Sequence, residues 1–299
     1  MTAKDRYATP AAFRRALSDR IKVAAASGPW TIPQLQRQVA YDRLLERLYL
    51  IDDGWIVKGA TALLARDLGV RASLDVDLYR DVTREIAEAD LRRAAALDLG
   101  DWFRFDVGIG SPIASGSVRL SVSASVGTSV WARFHVDLVG ADLQMTGQPD
   151  DVPPLARGVI PDVEQHGYRA YPLVDHIADK VTAMYERHGV SGVPSTRYRD
   201  LVDLVAIVRS CAVSAEAQRV ALESEFERRR LAWPTVFEAP DRAAWIPGYA
   251  AEARRSLLTS EQSLDDAIDT VAPFVDPLLD NSARGEWNPS ERSWTGLDS

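Results

Sequence analysis

Two carboxylates in alternate positions of the stretch 72–78, ASLDVDL, are the residues of this chain best suited by type and spacing to do chemistry. Leu74, Val76 and Leu78 alternate with Ser73, Asp75 and Asp77, which is the period of a β-strand with one apolar face. Residues two apart on a strand point the same way, so Ser73, Asp75 and Asp77 share the other face. Asp is a poor strand former, and neighbouring like charges repel. A hard divalent cation removes that penalty, because it takes oxygen ligands and binds through one or two carboxylates plus phosphates. The plain alternative is a solvated edge strand whose Asp residues face water.

Other segments bear on that choice. Lys58, Gly59, Ala60 and Thr61 form a turn between a short strand, Trp55 to Val57, and a helix start, Ala62 to Asp67. Gly permits close approach to the backbone, and N–H groups at a helix start attract phosphate. In the run Val130 to Val139, apolar side chains fill one face while Arg133, His135 and Asp137 fill the other. Asp137 is therefore a third acid on another strand, able to complete a metal site or activate a hydroxyl. Between Asp175 and Arg187, helical spacing sets Lys180, Ala183, Met184 and Arg187 on one stripe, and Arg199 and Asp203 lie four apart in the next helix. Salt-bridged helix faces explain these cations almost as well as triphosphate binding does. A Gly turn, three acids and cations together make up what phosphoryl or nucleotidyl transfer requires.

The elements that must position these residues fall into two halves. Thr9-Pro10 opens a helix to about Ala26, and a second helix follows Thr31. The short strands at 55–57 and 72–78, a helix from Thr83 to Leu97, and strands at 102–109, 117–126 and 129–139 predict a mixed α/β unit around a largely antiparallel sheet. Residues 141–167 read as loops. After Tyr171 the pattern is helical, and the polar end with Trp287 and Trp294 reads as a loosely attached tail. The expected domains are 1–170, an α/β core with N-terminal helices, and 171–299, a helical lobe completing the active site.

Of the 299 residues, 46% are hydrophobic and 26% charged, with a net charge of −8, so no global basic field recruits nucleic acid. Cys211 is the only cysteine, which excludes an internal disulfide, and its apolar helical run reads as core. The four His show no paired metal spacing, which argues against zinc. No window approaches the roughly 18 apolar residues of a membrane span, and the expected location is the cytoplasm.

The order GATAL, S-L-D-V-D, a strand acid at Asp137, DKVTAMYER and RYRDLVDL resembles the AbiEii/AbiGii-type nucleotidyltransferase toxins, which include the mycobacterial MenT proteins of toxin–antitoxin systems. The resemblance runs from about Val57 to Val208. It implies an α/β (α+β) fold with a DNA-polymerase-β-like nucleotidyltransferase core and a helical C-terminal lobe. It implies that Asp75 and Asp77 hold a catalytic Mg²⁺ or Mn²⁺, with Asp137 in the place of the third carboxylate, as ligand or base. Lys58, Ser73 and the turn Gly59-Ala60-Thr61 would face the nucleotide phosphates, Lys180 would contact the triphosphate with Arg187 nearby, and Asp203 matches the last essential acid. The expected activity is transfer of NMP from an NTP to the 3′ end of tRNA, blocking aminoacylation and translation, with a cognate antitoxin as partner. Arg71, Arg80, Arg187 and the run Arg228 to Arg230 are the expected basic surface for tRNA. Nucleotidylation of a protein hydroxyl and a non-catalytic nucleotide-binding module are the alternatives.

Overall fold

The computed structural model describes residues 3–68, 70, 72–113, 116–139, 143–161, 163–189 and 191–297. The chain divides into two compact units, the first made of Met1–Arg66, Ala72–Leu143 and Asp150–Ala170, the second of Asp67–Arg71, Gln144–Pro149 and Tyr171–Ser299.

The first unit runs α1 (Ala3–Arg6), α2 (Pro10–Ser27), α3 (Ile32–Ile51), β1 (Ile56–Lys58), α4 (Gly59–Ala65), β2 (Asp75–Tyr79), α5 (Arg84–Ala95), β3 (Phe103–Val107), β4 (Ser111–Pro112), β5 (Val118–Val126), β6 (Ser129–Leu138), β7 (Asp150–Val152) and β8 (Tyr168–Ala170). Both long helices start where their caps dictate. The Thr9 hydroxyl accepts from the Ala12 N–H ahead of Pro10, and Thr31 forms a reciprocal capping box with Gln34.

The strands form one mixed sheet in the order β3-β5-β6-β2-β1-β8-β7, with β4 also on β5. Most pairs are antiparallel as expected, but β2–β6 and β1–β8 are parallel. Parallel neighbours need a long crossover, which the chain between β2 and β6 supplies through α5 and β3 to β5. One sheet face is apolar: Val76, Leu78, Val136, Leu138, Leu120 and Val118 are all buried there. Helix α3 packs on it, with Tyr41 edge-on to Phe134 at 4.8 Å.

Helix α3 is unusual in also burying charge. Asp101, fully buried, accepts from Arg43 at 2.7 Å and from Arg47 at 2.7 and 2.9 Å, and both arginines are buried with it. Every oxygen of that carboxylate is engaged, which is the condition under which a buried ion pair is tolerated.

The second unit contains α6 (Leu173–Tyr185), β9 (Arg187–His188), β10 (Val193–Pro194), α7 (Tyr198–Ser210), α8 (Ala215–Arg229), α9 (Arg242–Ala253), α10 (Leu264–Leu279), β11 (Ala283–Asn288) and β12 (Ser293–Leu297). Asp175, in the first turn of α6, accepts from the N–H groups of Thr146 and Gly147 at 3.0 Å and from the Thr146 hydroxyl at 2.7 Å. That carboxylate fastens the segment 144–149 to the start of the helix.

Several expectations need correction. The C-terminal end is a packed hairpin, not a loose tail: Trp287 and Trp294 are buried against Phe274, and their indole N–H groups donate to the carbonyls of Val208 and Phe274. A short strand, β7, lies within the expected loop region. Helix α6 ends at Tyr185, so Arg187 leaves the stripe of Lys180 and stands exposed on β9, donating to the Gly192 carbonyl. Cys211 lies just past α7 and is half-buried rather than in the core. Strand β2 begins at Asp75, leaving Ser73 in the irregular segment before it. Among the described residues, no helix is long and apolar enough to cross a membrane.

Candidate active site

The polar face of the first unit's sheet collects the acids. Lys58, Asp77, Asp137 and Arg119 stand opposite one another across β1, β2, β6 and β5, so a single cross-strand row reads cation, acid, acid, cation. The next row is Asp75, His135 and Ser121. Directly paired residues share a face with Cβ atoms about 5 Å apart, which is why the three acids expected from the sequence meet here.

Each acid is held in place. Arg119 forks onto Asp137 at 2.8 and 2.6 Å and reaches Asp75 at 3.3 Å. Hydrogen bonding to Asp137, with the fields of Asp75 and Asp77, raises the guanidinium pKa above its ordinary value. His135 Nδ1 lies 3.1 Å from the other oxygen of Asp75. Asp77 lies over Gly59, whose φ is +59°; a Cβ there would stand 1.8 Å from Asp77 Oδ2. Gly59 therefore supplies both a left-handed backbone and the space for a carboxylate.

The hydroxyls of Thr61 and Ser73, expected to face phosphates, turn inward. Both donate to the Asp75 carbonyl, at 3.2 and 2.8 Å, and the Ser73 Oγ also accepts from the Asp75 N–H. Their side chains fix the start of β2, and Tyr41 adds a third tie by donating to the Ser73 carbonyl at 3.0 Å. Ala60 is buried beside them.

In the second unit, Lys180 on α6 donates to Asp203 at 2.6 Å and to Asp200 at 2.9 Å on α7, and it is 6% exposed. Burial alone would depress its ammonium pKa, but the two carboxylates outweigh that and raise it. Asp203 is 1% exposed, and among the described residues its Oδ1 has no hydrogen-bond partner. Arg199 pairs instead with Glu252.

Three of the six arginines expected to form a basic surface are matched to acids. Arg80 binds Asp52 and Asp90, Arg228 binds Glu225, and Arg229 binds Glu225, Glu186 and Asp179. Arg71 lies outside the described residues. Arg119 is the residue of this cluster that sequence reasoning missed. The alternation of Ser117 to Val126 puts it on the polar face with Ser121 and Ser123, but only the pairing register brings it to Asp137.

Among the described residues, no group of three or more His, Cys, Asp or Glu is arranged to hold a metal ion. The donor set fits a hard cation in a narrower sense: Asp75 and Asp77 offer carboxylate oxygens from one strand face, and Asp137 is taken by Arg119. That suits an ion such as Mg²⁺, which uses one or two carboxylates and completes its shell with substrate phosphates.

The fold is shared with solved structures. The nucleotidyltransferase toxin MenT4 from Mycobacterium tuberculosis H37Rv superposes with a TM-score of 0.51 at 16% identity, covering 88% of this chain and 98% of that one. JHP933 from Helicobacter pylori gives a TM-score of 0.50 at 16% identity, covering 82% and 94%. No curated protein matches the chain. The family described as nucleotidyl transferase AbiEii toxin, type IV toxin–antitoxin system, matches residues 43–289. That span holds both the acid rows of the first unit and the Lys180–Asp203 pair of the second, and the chain belongs to the AbiEii nucleotidyltransferase toxin family.

Proposed function

We propose that this chain transfers a nucleotidyl group from an NTP to the 3′ end of a tRNA, with a divalent ion held by Asp75 and Asp77. The observation that carries the reading is the pair of rows on the polar sheet face: three acids, two flanking cations and the Gly59 turn in one place. When bound, the ion polarises the α-phosphate and offsets the charge of the leaving pyrophosphate. Lys58, at the end of the row beside the Gly59 turn, attracts the β- and γ-phosphates as a point charge.

In the reaction the 3′-hydroxyl oxygen forms a bond to the α-phosphorus while the bond from that phosphorus to the bridging oxygen breaks, and its electron pair leaves with pyrophosphate. The hydroxyl proton must go to a base. Arg119 engages each Asp137 oxygen once and leaves further lone pairs for that proton. In the second unit, taken by itself, Lys180 is the cation assigned to a triphosphate and Asp203 the acid that orients it. The family's type IV class supports a cognate antitoxin as partner and a cytoplasmic setting for the reaction.

The test is incubation of the protein with total bacterial tRNA, Mg²⁺ or Mn²⁺, and each α-³²P-labelled NTP, beside Asp75→Ala. Label on tRNA, lost in the variant, is the expected result. Label on protein would replace tRNA by a protein hydroxyl, and label on neither would overturn the transferase reading.

A further inference from the structure

The polar sheet face does not stop at the acids. Beyond Asp75 it continues over β6, β5 and β3, where His135 and Ser121, then Arg133, Ser123 and Asp106, stand in successive cross-strand rows. With Leu74 and Gly108 these residues line a groove of about 450 Å³, within the usual range for a small-ligand site. Its near wall adjoins the active acids, since His135 contacts Asp75 at 3.1 Å.

The groove holds an unengaged cation. Arg133 is exposed and, among the described residues, has no ion-pair or hydrogen-bond partner; the same holds for Arg104, which stands opposite Ser125 on the same face. Arg119, Arg80, Arg228 and Arg229 are by contrast engaged by carboxylates. An unengaged guanidinium in a groove is available to fork onto a phosphate. Ser121 and Ser123 add hydroxyls, and Leu74, 59% exposed, offers an apolar edge for a base. Asp106 repels phosphate at the outer end, and its oxygens can accept from ribose hydroxyls or base amino groups.

Direction decides what the groove holds. In the sheet, β2 lies between β1 on one side and β6, β5 and β3 on the other. The attacking and leaving oxygens of phosphoryl transfer are roughly in line through the phosphorus. With the pyrophosphate toward Lys58 and Gly59 at the end of β1, the attacking hydroxyl must come from the β6 side, where the groove begins. We propose that this groove is the acceptor subsite: it takes the 3′-terminal nucleotide of a single-stranded RNA end, with a backbone phosphate on Arg133 and the 3′-hydroxyl directed at the row of Asp77 and Asp137. This rests on the RNA-acceptor reading above.

The experiment measures binding of a fluorescent single-stranded RNA ending in CCA and blocked as a 3′-deoxy terminus, by anisotropy over a salt series. It compares wild type, Arg133→Glu and Arg254→Glu, the last a matched charge change on an exposed residue of the second unit. Thermal melts and the KM for NTP in a transfer assay accompany it. Arg133→Glu should weaken RNA binding at least tenfold, lower the salt slope by about 0.7 for the one lost contact, and leave the melt and the NTP KM within twofold. Arg254→Glu should change RNA binding by less than twofold. Equal weakening by both variants, or none in Arg133→Glu while wild type still labels RNA, would overturn the subsite and spare the function. A wild type that neither binds nor labels RNA would overturn the RNA-acceptor reading and the subsite with it.

Discussion

Gly59→Ala should damage the active site far more than the fold. The backbone cost comes from φ of +59°, where a residue with a Cβ is worse off by about 1–2 kcal/mol. The site cost comes from the new Cβ, which would stand 1.8 Å from Asp77 Oδ2 and 2.8 Å from its Cγ. Tolerable contact requires the carboxylate to retreat by more than ~1 Å, and a misplacement of that size can cost ~100-fold in rate. The expected result is a stability loss of about 1–2 kcal/mol by urea titration, with transfer reduced by about two orders of magnitude. Because both effects act on one carboxylate, adding Gly59→Ala to Asp77→Ala should change activity little further. A Gly59→Ala protein that transfers at the wild-type rate would refute the reasoning, since Asp77 would then not need its observed place. Full additivity in the double variant would also refute it, because the loss would then not run through Asp77.

Three further outcomes follow from other contacts. Arg119→Lys keeps the charge but loses the fork on Asp137, so it should cost about 1 kcal/mol in urea melts, discounted for solvent at a side chain 40% exposed, and slow transfer more than it weakens NTP binding; wild-type turnover in that variant would deny Arg119 a positioning role. Asp101→Asn should cost about 3–5 kcal/mol by leaving Arg43 and Arg47 buried without their acid. Burial would raise the Asp101 pKa, but the hydrogen bonds and charges of Arg47 and Arg43 hold it below the ordinary value of 3.8. Its stabilisation is therefore present above that value and lost as pH falls through the lower folded-state pKa, so the variant's stability should fall less steeply with acid than the wild type's. Lys180→Met should cost a similar ~3–5 kcal/mol, and Lys180→Met with Asp203→Leu should recover much of it. The Lys180 pKa is raised in the fold, so its stabilisation is complete below the ordinary lysine value and lost only as pH rises through the higher folded one; stability flat in urea titrations from pH 8 to 10 is the check.

What the sequence disclosed was whatever local period could carry. Alternation in 72–78 and 130–139 put Asp75, Asp77 and Asp137 on polar faces, and caps placed the starts of α2 and α3. Register is not local, so Arg119 stayed hidden: it meets Asp137 only because β5 turns back on β6 while β6 runs parallel to β2. The same limit concealed the C-terminal hairpin, where a register shift between Arg284 and Trp287 breaks the alternation that would have marked a strand. Arg187 failed for the opposite reason, since a helical stripe was extended past Tyr185, where the helix stops.

The charge arithmetic of the two rows answers why two acids are kept side by side on a strand. Lys58 and Arg119 close the row around Asp77 and Asp137, so that row is neutral as a whole. Asp75 lies outside that balanced row, and Arg119 already approaches it at 3.3 Å. Such a face tolerates its carboxylates in the folded protein without a bound ion, and it presents too little excess charge to hold a bare divalent cation strongly. It suits a cation that brings oxygen ligands and negative charge of its own, which is how Mg²⁺ travels on a triphosphate. The proposed chemistry therefore requires no preformed metal cluster. It requires two carboxylates on one strand face, Asp77 within a balanced row and Asp75 in the next; Gly59 gives Asp77 its space, and Arg119 holds Asp137 and reaches Asp75.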